Sequence, residues 1–203
     1  MHRAILIGAL GTAAAFTAPS LRPNHFNAPA LQPIASARAP QPIAAGALTT
    51  TAWIGGTVAT GAMPAFFVVQ NLKPWYAGLS KPPWNPPDSI FAPVWSTLYA
   101  LIGLSCARAL GNPFASTVSK ALLTSYLIQA VLNLSWAPVF FGLHKLRLGF
   151  FISTAMLLSA IQMTSAFAAA AGVATACLLI PYLAWLTFAT GLNLKLWRLN
   201  GPG

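Results

Sequence analysis

Tyr126, Gln129, Asn133, Trp136 and Phe140 follow one another at intervals of three, four, three and four residues. Helical geometry puts all five on a single stripe. Two amides set among large rings make a poor face for hydrocarbon, where an unpaired polar group costs on the order of a few kcal/mol. Gln129 and Asn133 must therefore turn toward other helices or toward a ligand. A second such face runs through Trp185, Ala189 and Asn193, four residues apart, with Ala189 leaving room for close approach. Trp95, Tyr99 and Ile102 form a third, and Gly103 adds a close-packing point beside it. Together these residues suit recognition rather than bond-making, since an apolar pocket with a few convergent polar groups is the usual form of a small-molecule site. The same spacing also builds packed cores. For Asn133 taken alone, interhelical hydrogen bonding is the weightier reading.

The segment Pro74–Trp95 is dense in Trp and Pro and joins two apolar stretches. Pro82-Pro83 and Pro86-Pro87 cannot sit inside a regular helix, because proline lacks the backbone donor and drives its predecessor toward extended geometry. A stiff, semi-extended loop follows. Trp75, Tyr76 and Trp84 would present flat faces from it, either as a lid over a flat apolar ligand or as an interfacial aromatic belt. Pro138, near the end of the stripe carrying Trp136, should kink its helix and open space there.

Catalytic constellations are missing from the chain. Asp88 is its one acid, so neither a paired carboxylate nor a Ser/His/Asp arrangement can be assembled. There is no glycine-rich phosphate loop and no cluster with metal-ligand spacing. His144 stands beside Lys145 and Arg147 and reads as an interfacial histidine rather than a haem ligand. With no acid inside any span, a proton-coupled pump lacks its titratable relay.

What must position these residues is a membrane bundle. The 203 residues are 57% hydrophobic and 6% charged, with 11 Lys and Arg against the single acid. Mean hydropathy is +0.68. An ordinary soluble domain carries roughly 25% charged residues. Five apolar runs, at about 49–71, 89–110, 116–143, 148–171 and 174–199, each reach the roughly 20 residues a spanning helix needs, and they lack the alternation of barrel strands. The expected fold class is all-α, an integral membrane five-helix bundle over residues 48–200, with short loops making successive helices antiparallel neighbours. The basic residues sit at helix ends and in loops, which excludes nucleic acid as a partner and makes lipids the surroundings. Lys73, Lys81, Lys145, Arg147, Lys195 and Arg198 share the C-terminal face with the Trp/Pro loop, against Arg108 and Lys120 on the other, so positive-inside bias places that loop on the cytosol-like side. Cys106 and Cys177 fall in predicted spans and read as buried thiols.

Residues 1–47 have a targeting composition: Arg3, Arg22 and Arg38, no acid, and many Ala and Pro. A short apolar run, Ala4–Phe16, leads to small residues around Phe16. This resembles the bipartite leader of algae with secondary plastids, a signal peptide followed by an exposed Phe and a transit peptide. It makes a plastid membrane the expected address, with a mitochondrial outer membrane or a secretory membrane as the alternatives.

Several motifs, read in order, resemble one family. They are Trp75-Tyr-Ala-Gly-Leu-Ser-Lys-Pro-Pro-Trp-Asn-Pro-Pro-Asp88, Pro93-Val-Trp-Ser-Thr-Leu-Tyr99, Gln129-Ala-Val-Leu-Asn-Leu-Ser-Trp-Ala-Pro-Val-Phe-Phe-Gly142 and Pro181-Tyr-Leu-Ala-Trp-Leu-Thr-Phe-Ala-Thr-Gly-Leu-Asn193. Over about residues 50–200 the chain is similar to the translocator protein family, also called TspO/MBR or tryptophan-rich sensory proteins. The resemblance implies a homodimeric five-helix receptor or transporter with no obligatory cofactor, taking porphyrin or haem as ligand beneath the first loop, and in animals cholesterol. It places Tyr76, Trp95, Asn133, Trp136, Phe140, Trp185 and Ala189 at pocket positions, to which the loop and the helix faces add Trp84 and Tyr99. For bacterial members it also implies light-dependent breakdown of protoporphyrin IX through tryptophans matching Trp95 and Trp185, the enzymatic alternative to a receptor. Leu194 stands where the animal cholesterol consensus has Tyr, which favours a tetrapyrrole over a sterol.

Overall fold

The computed structural model describes residues 43–112 and 119–201; the leader readings at residues 1–42, Phe16 among them, and the expected start of the third span at 116 lie outside these. The described residues form helices and turns, without strands. In order they are α1 (Ile43–Ala62), α2 (Ala65–Leu72), 3₁₀ turns at Tyr76–Gly78 and Asp88–Ile90, α3 (Phe91–Leu110), α4 (Lys120–Ala137), a π-helical turn at Pro138–Gly142, α5 (Leu146–Ala171), α6 (Val173–Cys177) and α7 (Ile180–Asn200). Five spans are long and apolar enough to cross a membrane: Gly46–Leu72, Asp88–Leu110, Lys120–Gly142, Leu146–Ala171 and Val173–Asn200.

Three of these spans are interrupted, and a proline explains each interruption. Pro64 has no N–H to offer the Thr60 carbonyl, which instead accepts from Met63 at 3.2 Å, so the expected single helix over 49–71 becomes α1 and α2. Pro181 likewise splits the expected helix over 174–199: Leu179 N–H donates back to Ala176 at 2.9 Å, and α7 starts with the proline in its first turn. At Pro138 the expected kink takes the form of a π turn, closed by Leu143 N–H on the Pro138 carbonyl at 2.9 Å.

In lipid, helices associate through close packing and interhelical hydrogen bonds rather than through exclusion of water. Gly103 brings α3 against the α1 backbone so tightly that a Cβ there would lie 2.6 Å from Ile54 Cα. Trp53 Nε1 donates to the Gly111 carbonyl at 2.7 Å, tying the middle of α1 to the end of α3, and with Gly61 against Tyr99 further along the pair runs antiparallel. Thr190 Oγ1 donates to the Ser153 carbonyl at 3.2 Å between α7 and α5. Gly111, Gly172 and Gly201 end α3, α5 and α7 at φ of 70, 84 and 83°, values that favour glycine. Cys106 is buried, as expected. Cys177 is exposed, because it closes the short α6 rather than lying within a long helix.

Candidate functional site

A cavity of about 480 Å³ opens between α1, α2, α3, α4, its π turn and α7. Its wall is built from the residues that the interruptions and stripes supply. Pro64 turns Ala62, Ala65, Val68 and Leu72 toward it from the first span. Trp95 and Tyr99 enter from α3, stacked on each other at 5.4 Å between ring centroids. Trp136 and Phe140 enter from α4 and the π turn, stacked at 5.0 Å, and Phe141 joins them. Extending the helix by a wider turn at Pro138 is what carries Phe140 and Phe141 together into one cluster with Trp136.

Few polar groups reach this wall, and most are oriented by neighbours. Tyr99 Oη donates to Asn133 Oδ1 at 2.8 Å, and Trp136 Nε1 donates to Asn193 Oδ1 at 3.2 Å. Asn193 in turn donates to the Ala189 carbonyl at 2.8 Å. Tyr182 Oη, fully buried behind the wall, accepts from Gln129 Nε2. Each amide on the stripe therefore holds an aromatic polar tip in place.

The Trp/Pro loop closes one end of the cavity. Tyr76, only 4% exposed, borders it and donates its hydroxyl to Asn85 Oδ1 at 3.1 Å. Burial first, and the Asp88 charge second, push that hydroxyl up to about 12, against the lowering effect of the bond to Asn85. Lys81 sits 4.6 Å over the Tyr76 ring and donates to the Tyr76 carbonyl at 2.6 Å, so its charge is spent on holding the loop. Ser80 and Asn200 exchange two hydrogen bonds, of 2.8 and 2.9 Å, which pin the loop to the end of α7. His144, at φ 58°, bonds Asn71 Oδ1 at 3.1 Å and stacks on Trp75 at 4.2 Å.

Of the residues singled out in the sequence, Tyr76, Trp95, Tyr99, Asn133, Trp136 and Phe140 meet around this one space. Trp84, Trp185 and Ala189 do not border it. Trp84 is 47% exposed and packs edge-on against Phe188. Trp185 stands behind Trp95, edge-on at 6.5 Å, and Ala189 contributes its carbonyl to Asn193. Positions four apart drift by about 40° per step around a helix, so the face Trp185, Ala189 and Asn193 share turns away before it reaches Trp185. Asn193, read in the sequence as part of the inward face with Trp185 and Ala189, borders the cavity too, whereas Asp88, Ser96, Met156 and Leu196 border it without having been predicted there. For the α1–α2 residues the available signal was Pro64.

The TspO/MBR family profile matches residues 53–198. The chain belongs to the TspO/MBR family. It is 33% identical over 153 residues to the tryptophan-rich protein TspO of Chlorobaculum tepidum, covering 75% of this chain and 96% of that protein. It is 36% identical over 129 residues to protein CrtK of Rhodobacter capsulatus, 64% of this chain and 79% of that protein. It is 40% identical over 130 residues to the translocator protein of Homo sapiens, 62% of this chain and 75% of that protein. With five spanning helices and this membership, the protein is a multi-pass integral membrane protein with a membrane receptor or transporter role.

Proposed function

We propose that this TspO/MBR member binds a tetrapyrrole, protoporphyrin IX or haem, in the 480 Å³ cavity, as a receptor or transporter in a plastid membrane, and that it does so as a homodimer. The observation that carries the reading is the wall itself: Trp95, Trp136, Phe140 and Tyr76 surround a space in the 300–1,000 Å³ range of small-molecule sites, with Tyr99, Asn133 and Asn193 as convergent polar groups. Flat aromatic faces suit a flat macrocycle. The bundle end closed by the loop also holds Lys73, Lys145, Arg147, Lys195 and Arg198, whose charge favours an anionic ligand entering there. The test is protoporphyrin titration of the purified protein in the dark, read by quenching of intrinsic Trp fluorescence. Saturable quenching is expected, and Trp95→Ala or Trp136→Ala should weaken binding about thirtyfold, the effect of losing about 2 kcal/mol at a buried aromatic anchor. Unchanged affinity in both variants would place the ligand elsewhere.

Light-dependent porphyrin breakdown is the second reading. It is favoured by Trp95 in the wall with Trp185 edge-on behind it. If indole oxidation by photoexcited porphyrin and oxygen is used, Trp95→Phe should slow the loss of porphyrin absorbance more than it weakens binding, since Phe keeps much of the packing but resists oxidation. A rate that falls only with occupancy leaves the receptor reading alone. Among the described residues Asp88 is the one carboxylate at the cavity wall and has no second acid to share a directed proton transfer with, which weighs toward the receptor.

A further inference from the structure

Beside the large cavity lies a second, of about 30 Å³, whose wall includes Thr57, Thr60, Tyr126, Gln129 and Tyr182. Tyr99 and Asn133 belong to both walls and form the partition between them. In a bundle this apolar, so small a space lined by five hydroxyl groups, three of them phenols, and two amides is distinctive. It has room for a single water-sized group.

Its polar partners are only partly used. Thr57 Oγ1 and Tyr126 Oη approach each other at 3.4 Å, a weak contact. Gln129 is 3% exposed, its Nε2 donates to Tyr182 Oη, and its Oε1 has no partner among the described residues. Turning the amide over leaves the count unchanged: Tyr182 would donate to Oε1, and Nε2 would be left free. A buried amide with half its capacity unmet is costly, and rotation about its soft terminal torsion can bring the free atom onto a guest. The guest must both donate and accept, because it meets hydroxyls and an amide together.

We propose that the small cavity is a hydroxyl subsite, holding one hydroxyl group that comes either from a resident water or from the end of an apolar ligand in the large cavity. The ligand source rests on the large cavity being a binding site; the water source does not.

Two measurements on the full-length protein separate the sources. Radiolytic hydroxyl labelling in ¹⁸O water, without added ligand, reads a resident water directly through label on Tyr126 or Tyr182. The saturable shift in Trp emission produced by decanol and by decane, corrected for membrane partition, reads the ligand source. With a resident water, Tyr126 or Tyr182 takes up label, the label is lost in Gln129→Leu and in Thr57→Val, and alcohol and alkane bind alike. With a ligand hydroxyl, decanol binds about tenfold more tightly than decane, the effect of about one hydrogen bond, and either variant removes the difference. Thr57→Val preserves side-chain volume and serves if Gln129→Leu does not fold. No label on either tyrosine together with equal binding of alcohol and alkane overturns the subsite, as does label or preference that survives both variants. Loss of porphyrin quenching with labelling intact would instead overturn only the reading of the large cavity.

Discussion

Tyr76 closes the cavity with a neutral hydroxyl, and its proton affinity gives the closure a pH dependence. Its value rises from an ordinary 10.0 to about 12, so the folded protein holds the proton more tightly than the unfolded chain does. That contribution to stability is complete below pH 10 and is lost as pH climbs toward 12. Tyr76→Phe should flatten the fall in melting temperature across this interval; a slope equal to wild type would show that the phenol does not set it. Trp185 illustrates a different residue-scale point. Its ring contacts Phe91, Trp95 and Phe188, and its Nε1 is buried without a partner among the described residues, so it supports a wall residue rather than forming the wall. Trp185→Ala should therefore weaken porphyrin binding less than Trp95→Ala in the same titration. An equal or larger loss would put the ligand against Trp185 itself.

At the scale of elements, two glycines on neighbouring helix surfaces should behave differently. A Cβ on Gly103 would meet Ile54 Cα at 2.6 Å and the Trp53 carbonyl at 2.8 Å, both backbone, so α1 and α3 would have to part. Gly103→Ala should destabilise the protein by about 1–3 kcal/mol, the usual cost of overpacking, seen as a lower melting temperature in detergent. The atoms nearest a Cβ on Gly61 belong to the Tyr99 ring, a side chain rather than backbone, which would have to leave its bond to Asn133 to make room. Gly61→Ala should cost less stability than Gly103→Ala while moving Tyr99 out of the partition and weakening ligand binding. If the two variants melt alike, close approach of α1 to α3 is not what holds this pair.

For the whole molecule, a ligand that binds only the folded bundle must stabilise it. At one hundred times its dissociation constant, porphyrin should add about 2.7 kcal/mol and raise the melting temperature accordingly. No rise under saturating porphyrin would mean that quenching reports adsorption rather than binding. The route to the membrane is tested separately. A fluorescent protein fused after residue 47 should co-localise with chlorophyll, and Phe16→Ala should divert it; mitochondrial labelling with the intact leader would reject the plastid reading.

Span number, membrane class and family were legible in the chain because hydropathy and motif order are local properties, carried by each segment whatever it packs against. The stripe from Tyr126 to Phe140 was legible as an inward face for the same reason, since lipid rejects its two amides. That the stripe would serve two spaces was not. Tyr126 and Gln129 face the small cavity, Trp136 and Phe140 the large one, and Asn133 with Tyr99 divides them, which depends on how far α3 stands from α4. Nor could periodicity place Trp84, Trp185 and Ala189 outside the wall, because it assigns residues to faces and not to neighbours. Which residues meet is set by interhelical distance, here by Gly103 against Ile54 and by the breaks at Pro64, Pro138 and Pro181, and those distances exist only once the helices have packed.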